Sequence, residues 1–251
     1  MPIDVGGFNI SNESEKYLDT SLPINTTGLS IYLDAGNVKS YPGFGTNWYD
    51  LSGNGNSFNW INTPTHKSFG NKSFLRAFGN RCQGPPSNSV GIDNTSGYTI
   101  FLVFQQDTLN STSAFKFYKD GSSSASRGIF SHATWSNGFI YFDQGGCCNT
   151  DTRVYVDSGG VTTPTVLAFR RVTSGSTRTI WKNGTILATE TAAAANIDLN
   201  STPIDLGSSD EYGGDSSTWY GDINSFVVYN RGLSDIELQS VSNYFETRFS
   251  I

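Results

Sequence analysis

The sequence predicts an all-β protein: two antiparallel sheets packed face to face, with one helix at the C-terminus. Three observations predict it. Short runs that alternate apolar and polar residues recur from residue 28 onward, bounded by Gly, Asn, Ser and Pro. Two Asn-Gly dipeptides, at 137–138 and 183–184, each separate a pair of strand-like runs. Asn-Gly tolerates the positive φ angles of the tight turns whose twist suits a hairpin. Charged residues make up 15% of the chain, against about 25% in an average soluble protein. The surface must therefore owe its polarity to Ser, Thr, Asn and 27 Gly, residues that favour turns and strand surfaces over helices. The length of 251 residues suits one sandwich-sized domain, and 14% aromatic content can furnish its core.

Residues 1–27 form a polar N-terminal arm with scattered apolar side chains (Ile3, Val5, Phe8, Ile10, Leu18, Leu22, Ile24) and no sustained period. Such an arm either covers its own domain or docks on a neighbouring subunit, which implies a homo-oligomer. Residues 28–251 form the domain proper. Runs 29–33, 58–61 and 74–78 are short strands, and 98–104 (YTIFLVF) is nearly continuous in apolar and β-branched residues, as a central strand would be. The hairpins follow: GIFSHATW with FIYFDQ, and RTIWK with TILATE. Runs 166–170, 203–206 and 223–229 complete the strands.

The last element is a helix. Ser234 is a natural N-cap, and Glu237 three residues on completes a capping box. Leu233 and Leu238 occupy the staple positions that fix the entry angle of the chain. Asp235 and Glu237 place negative charge at the positive end of the helix, and Arg248 lies near the other end. Leu238, Val241, Phe245 and Phe249 define one apolar face, expected to lie against the rim or edge of a sheet.

A net charge of −6 leaves no basic field to gather phosphates, so nucleic acid is excluded as a partner. The same sign opposes approach to an anionic membrane. No run reaches the roughly 18 apolar residues that span a bilayer. The opening MPIDVGGFNISNESEK has no apolar core of the signal-peptide kind and begins at Met1, so the protein is expected to be made and assembled inside a cell. Cys82, Cys147 and Cys148 follow no zinc spacing. They are either buried thiols or, in an oxidising medium, a bridge from Cys82 to one of the adjacent pair.

Several segments carry a family resemblance. At the start stand Tyr32-Leu33-Asp34-Ala35-Gly36-Asn37, Ser40-Tyr41-Pro42-Gly43 and Trp48-Tyr49-Asp50-Leu51-Ser52-Gly53-Asn54-Gly55-Asn56. At the end, Trp219-Tyr220-Gly221-Asp222-Ile223 leads through Val227-Val228-Tyr229-Asn230-Arg231 to Leu233-Ser234 and the capped helix. Between them lie the hairpin WKNGTILATETA and Leu206-Gly207-Ser208. The ensemble resembles laminin-G-like, or concanavalin-A-like, jelly-roll domains over roughly residues 28–251. Within that group it is similar to domains of virion proteins of tailed bacteriophages, notably those of marine cyanobacteria, and bacterial surface proteins use similar wording. The resemblance implies a jelly-roll sandwich in a virion decoration, fibre or tail-associated protein, with other virion proteins as partners. It equally implies a carbohydrate-binding or adhesion module at a cell surface.

The same fold hosts glycan hydrolases, but a retaining glycosidase needs two carboxylates about 5 Å apart, commonly from an E-x-D-x-E run. This chain has no such run, and the adjacent Asp210 and Glu211 would point to opposite faces of a strand. His66 and His132 are the only histidines, and His132 sits beside no Ser/Asp arrangement legible in the sequence. The chain reads as non-catalytic. The candidate ligand-binding residues are in the loop 208–220, where Asp210, Glu211 and Asp215 alternate with Tyr212, Trp219 and Tyr220 among glycines. Sugars need acceptors beside an apolar platform, and calcium needs convergent oxygens, so host surface glycan or calcium fits that loop. Asp50 with Asn54 and Asn56 is a second oxygen-rich loop where calcium could sit, or a set of structural Asx turns.

Overall fold

The computed structural model describes residues 22–119, 127–172, 177–191, 195–207 and 219–251. Among them sixteen strands and one short 3-10 turn (Ser87–Ser89) precede a single α-helix. The first six strands are β1 (Leu29–Asp34), β2 (Asn47–Trp48), β3 (Phe58–Trp60), β4 (His66–Lys67), β5 (Phe74–Arg76) and β6 (Cys82–Pro86). Next come β7 (Tyr98–Gln106), β8 (Phe115–Tyr118), β9 (Arg127–His132), β10 (Phe139–Gln144) and β11 (Arg153–Asp157). The remainder are β12 (Thr165–Arg171), β13 (Arg178–Lys182), β14 (Thr185–Glu190), β15 (Pro203–Leu206), β16 (Gly221–Tyr229) and helix α1 (Asp235–Phe249). Every strand pairing is antiparallel.

The strands form two eight-stranded sheets. The first runs β14-β13-β12-β7-β16-β5-β4, with β1 also paired to β16; the second runs β11-β10-β9-β8-β15-β6-β3-β2. The facing surfaces bury one core, in which Phe115 meets Phe169 and Phe226 at ring-centroid distances of 5.4 and 5.7 Å. Trp48 stacks on Trp60 at 6.0 Å near the far edge. Rings of this size carry much of the apolar area that holds a sandwich shut.

The first sheet is apolar on both faces, which explains the unbroken apolar run of β7. Ile100, Leu102 and Phe104 face the other sheet, while Phe101 and Val103 face outward with Val166, Ala168, Val227 and Tyr229. Helix α1 covers that outward face with Leu238, Val241, Phe245 and Phe249. It therefore lies across a sheet face and not at the rim or edge, because the outward row leaves apolar surface that only a second layer can bury. Fully burying each such side chain is worth about 1.5–3 kcal/mol. The cap forms as the sequence predicts: the Ser234 side chain accepts from the Glu237 N–H, and the Glu237 carboxylate accepts from the Ser234 N–H at 2.9 Å. Arg248 does more than offset the helix dipole: it forms a buried fork on Asp34 of β1, at 2.6 and 2.8 Å.

The two Asn-Gly turns differ. Asn183 and Gly184 both have positive φ, 46° and 67°, the type I′ pattern expected. At the other, only Gly138 does (86°), and the Gly138 N–H donates to the Trp135 carbonyl. This is a type I turn followed by a left-handed glycine, and it leaves Trp135 on the turn.

Before Gly28, Ile24 is buried against the helix side of the first sheet, and the Asn25 and Thr27 carbonyls accept from Tyr229 and Arg231. Residues 1–21, the rest of the arm, lie outside the described residues.

Candidate ligand-binding face

Period-two alternation sorts the side chains of β9, β10 and β11. Ile129, Ile140, Phe142 and Val154 turn into the core, while Phe130, His132, Phe139, Tyr141, Asp143, Arg153 and Tyr155 turn outward. The register aligns the outward residues in two rows. His132, Tyr141 and Tyr155 lie directly opposite one another, and so do Phe130, Asp143 and Arg153. Directly opposed side chains on one face are within contact distance, and here they form an aromatic row beside a charged one.

In the aromatic row, Tyr141 lies 5.9 Å from Tyr155 and 6.2 Å from Phe139, both rings nearly parallel to it. His132 carries Trp135 at 4.4 Å. Trp135 and Phe139 are half-buried, and Tyr155 is 59% exposed, so ring surface reaches solvent along the row. In the charged row, Asp143 is fully buried and accepts from Arg127 and Arg153, the latter through two nitrogens. The Arg153 guanidinium also lies over the Tyr141 ring at 4.4 Å, which adds cation–π attraction and fixes its plane. Burial pushes the Asp143 carboxyl up, but hydrogen bonds from Arg153 and His132 outweigh it and hold the group below its ordinary value.

A shallow pocket of about 140 Å³ opens where the rows meet the β10–β11 loop, lined by Arg127, His132, Trp135, Tyr141, Cys148 and Arg153. Cys147 and Cys148 are joined by a disulfide between adjacent residues, and Cys148 takes a positive φ of 75° there. The sequence left open buried thiols or a bridge from Cys82: the bridge joins the adjacent pair, and Cys82 is a buried thiol. That thiol is enclosed in the core between the sheets, where burial pushes it well up, while the adjacent pair sits on a surface loop.

His132 has neighbours the sequence did not reveal. Its Nδ1 is 3.0 Å from Ser113 Oγ, and its Nε2 is 3.6 Å from Asp143. The three have the composition of a nucleophilic triad, but Ser113 is 1% exposed, and Asp143 is engaged by two guanidiniums. A hydroxyl buried in this way gives a substrate no approach, and the line ties Ser113 to the charged row through His132.

Of the residues singled out in loop 208–220, Asp210, Glu211, Tyr212 and Asp215 lie outside the described residues. Trp219 is described, and it is no ligand platform: its ring is fully buried, 5.5 Å from Phe104. Tyr220 meets Phe78 at 4.6 Å. In the loop around Asp50, the carboxylate accepts from the N–H groups of Tyr32, Ser52 and Asn56 and from the Ser52 hydroxyl. Asn54 and Asn56 spend their amides on the Leu29 and Ser30 carbonyls. These oxygens and amides tie the loop to β1, which favours Asx turns over a calcium seat. Among the described residues, no group of three or more His, Cys, Asp or Glu side chains is placed to hold a metal ion. No described helix is long and apolar enough to cross a membrane.

No protein-family model matches the chain, and no curated protein matches it. Solved structures do. A mutant of Trypanosoma rangeli sialidase displaying trans-sialidase activity matches 90% of this chain and 34% of its own, with a TM-score of 0.64 at 13% identity. The binding domain of Paraclostridial Mosquitocidal Protein 1 matches 88% of this chain and 53% of its own (TM-score 0.63, 13% identity). The receptor binding domain of botulinum neurotoxin C/D mosaic serotype matches 88% and 52% (TM-score 0.64, 11% identity). The chain thus spans about a third of the sialidase and about half of each toxin chain. At these identities the likeness is one of fold. It joins the chain to β-sandwiches of both enzymes and binding domains, consistent with a concanavalin-A-like jelly roll.

Proposed function

We propose that this chain is a non-catalytic binding module that holds a glycan on the outward face of β9, β10 and β11. One observation carries this reading: aromatic rings reach solvent in a row beside fixed guanidiniums and a buried carboxylate. Sugars are held by stacking of their apolar ring faces on aromatic rings, with polar groups at the margin fixing orientation. Binding domains among the structural neighbours support the same class of function.

The finer placement rests on sequence wording alone. We read the chain as a structural component of a tailed-phage virion, displaying the sandwich to host surface glycan and contacting other virion proteins and further copies of itself through residues 1–27. The virion would be assembled in the host cytoplasm. The alternative is an adhesion module at a bacterial surface or outside the cell. Asp210, Glu211, Tyr212 and Asp215 remain a second proposed contact set, by residue chemistry alone.

Glycan arrays probed with the full chain test the reading. The double substitution Trp135→Ala, Tyr155→Ala removes two of the rings that reach solvent and should weaken retention at least tenfold while the protein stays folded. Unchanged retention on the same glycans overturns the assignment to this face.

A further inference from the structure

We infer that one end of the sandwich holds a second site, a pocket for a single uncharged sugar residue, separate from the aromatic row. Strand ends and turns converge there. Gln106 closes β7 and leads into Asp107, Thr108 and Leu109, Gly138 sits on the β9–β10 turn, and Asp157 closes β11 ahead of residues 158–162. The pocket holds about 360 Å³, at the lower end of the roughly 300–1,000 Å³ of small-ligand pockets, which suits one ring.

Gln106 names the chemistry of the occupant. Its amide nitrogen donates to the Thr108 and Thr134 carbonyls, both at 3.0 Å. Two acceptors on that side fix which end of the amide is nitrogen, and so fix the oxygen as well. That oxygen, Oε1, accepts from no donor among the described residues, although Gln106 is only 1% exposed. A buried acceptor without a donor is costly, and native structures rarely leave one. Gln106 lines the pocket, so the donor it lacks has to come from the pocket's occupant. A hydroxyl supplies it; a carboxylate or sulfate, which only accepts, does not. At the rim, Asp107 is paired with Arg76, and Asp157 accepts from the Gly159 N–H. Both carboxylates oppose an anion and leave acceptors for further hydroxyls.

The walls are tied in place by the protein's own bonds. The Gln106 N–H donates to the Val161 carbonyl at 3.1 Å, and the Ser158 N–H to the Gly138 carbonyl at 3.0 Å. The Gly160 N–H donates to the Ser158 hydroxyl, and Lys182 donates to the Ser158 and Gly160 carbonyls at 2.7 Å. Little backbone freedom is therefore lost on binding. Gly138 and Gly160, at φ of 86° and 92°, border open space: a Cβ on either would meet nothing within 4 Å. Leu109, 50% exposed, and Val161 add apolar surface for the C–H face of a ring.

The test is a nuclear magnetic resonance titration of the isotopically labelled full chain with glucose, galactose, mannose and N-acetylglucosamine, and with glycerol as a hydroxylated control that has no ring. We expect at least one of the four sugars to move the Gln106 side-chain amide and the backbone of residues 107–109 and 158–162, saturating on the order of millimolar. Glycerol should bind at least tenfold more weakly. Gln106→Met keeps the length of the side chain and removes the acceptor, and it should weaken the sugar about fivefold or more. Should that variant fail to fold, the Gln106 amide signal of the unaltered chain still decides. Movement by none of the four sugars overturns the inference, as does glycerol binding equally well. Folded Gln106→Met that binds as tightly as the unaltered chain overturns it too. Shifts confined to the Trp135 indole and the outward residues of β9, β10 and β11 overturn it while leaving the glycan reading standing. Shifts at the pocket together with no retention on the glycan arrays support it and overturn the glycan reading instead.

Discussion

Asp143→Asn keeps the volume of the side chain and removes the one carboxylate that Arg127, Arg153 and His132 share. The Asp143 side chain is 0% exposed, Arg127 4% and Arg153 17%. Breaking a buried pair by deleting one partner costs about 3–5 kcal/mol, because the remaining charge is left uncompensated. The partial exposure of Arg153 lets water recover some of that loss, so about 3 kcal/mol is expected at neutral pH. In a domain of this size each kcal/mol moves the melting temperature by roughly 2–4 °C, giving a fall of roughly 6–12 °C. The pH dependence has a definite sign. The folded carboxyl sits below its unfolded value of about 3.9. Its stabilisation is thus complete above that value and lost as pH falls through the lower folded one. The difference between wild type and variant should therefore close below about pH 4. Melting followed by near-ultraviolet circular dichroism at pH 7 and along an acid series measures it. A melting temperature unchanged within a degree at pH 7, or a difference that widens on acidification, refutes the reasoning.

Ser234→Ala removes the N-cap acceptor of α1 and should cost about 1 kcal/mol in urea unfolding; no loss would mean that the cap contributes nothing to the fold. Deleting residues 1–27 should lower stability by about 2 kcal/mol, since it removes buried Ile24 and the carbonyls that Tyr229 and Arg231 use. A truncated chain as stable as the full one would refute this, and sedimentation of the two shows whether the arm drives assembly. Reducing Cys147–Cys148 with a phosphine should leave far-ultraviolet circular dichroism unchanged, because bridging adjacent residues closes almost no loop. It should weaken glycan retention by freeing the Cys148 wall of the pocket; full retention would exclude the bridge from the site.

The sandwich was legible because its strands announce themselves locally, by period-two runs, by Asn-Gly turns and by a run apolar on both faces in β7. The helix was legible to the residue, since a capping box is a local pattern; its berth was not, because the outward apolar row it covers is assembled from β7, β12 and β16. Strand β6 escaped notice because Gly84, Pro85 and Pro86 argue against a strand. The glycine is required there: a Cβ at Gly84 would lie 2.3 Å from the Phe58 ring. The ligand face was missed for a related reason. Loop 208–220 attracts attention because its acids and aromatics are neighbours in sequence. His132, Tyr141 and Tyr155 become neighbours only through the pairing register. The signal was present in the outward residues of FIYFDQ and RVYVD, read at a spacing of two. The cysteines show the same limit: that two were adjacent was plain, but that Cys82 lay too deep to join them depends on which strands enclose it.

An amide and indole correlation spectrum of the isotopically labelled full chain, titrated with the glycan retained best, tests the proposed face most directly. Perturbations should concentrate on the Trp135 indole N–H and on the backbone of residues 132–148 and 153–155, with α1 and β12–β14 unmoved. Perturbations confined to residues 208–220, or to the N-terminal arm, would contradict the assignment of ligand binding to β9, β10 and β11.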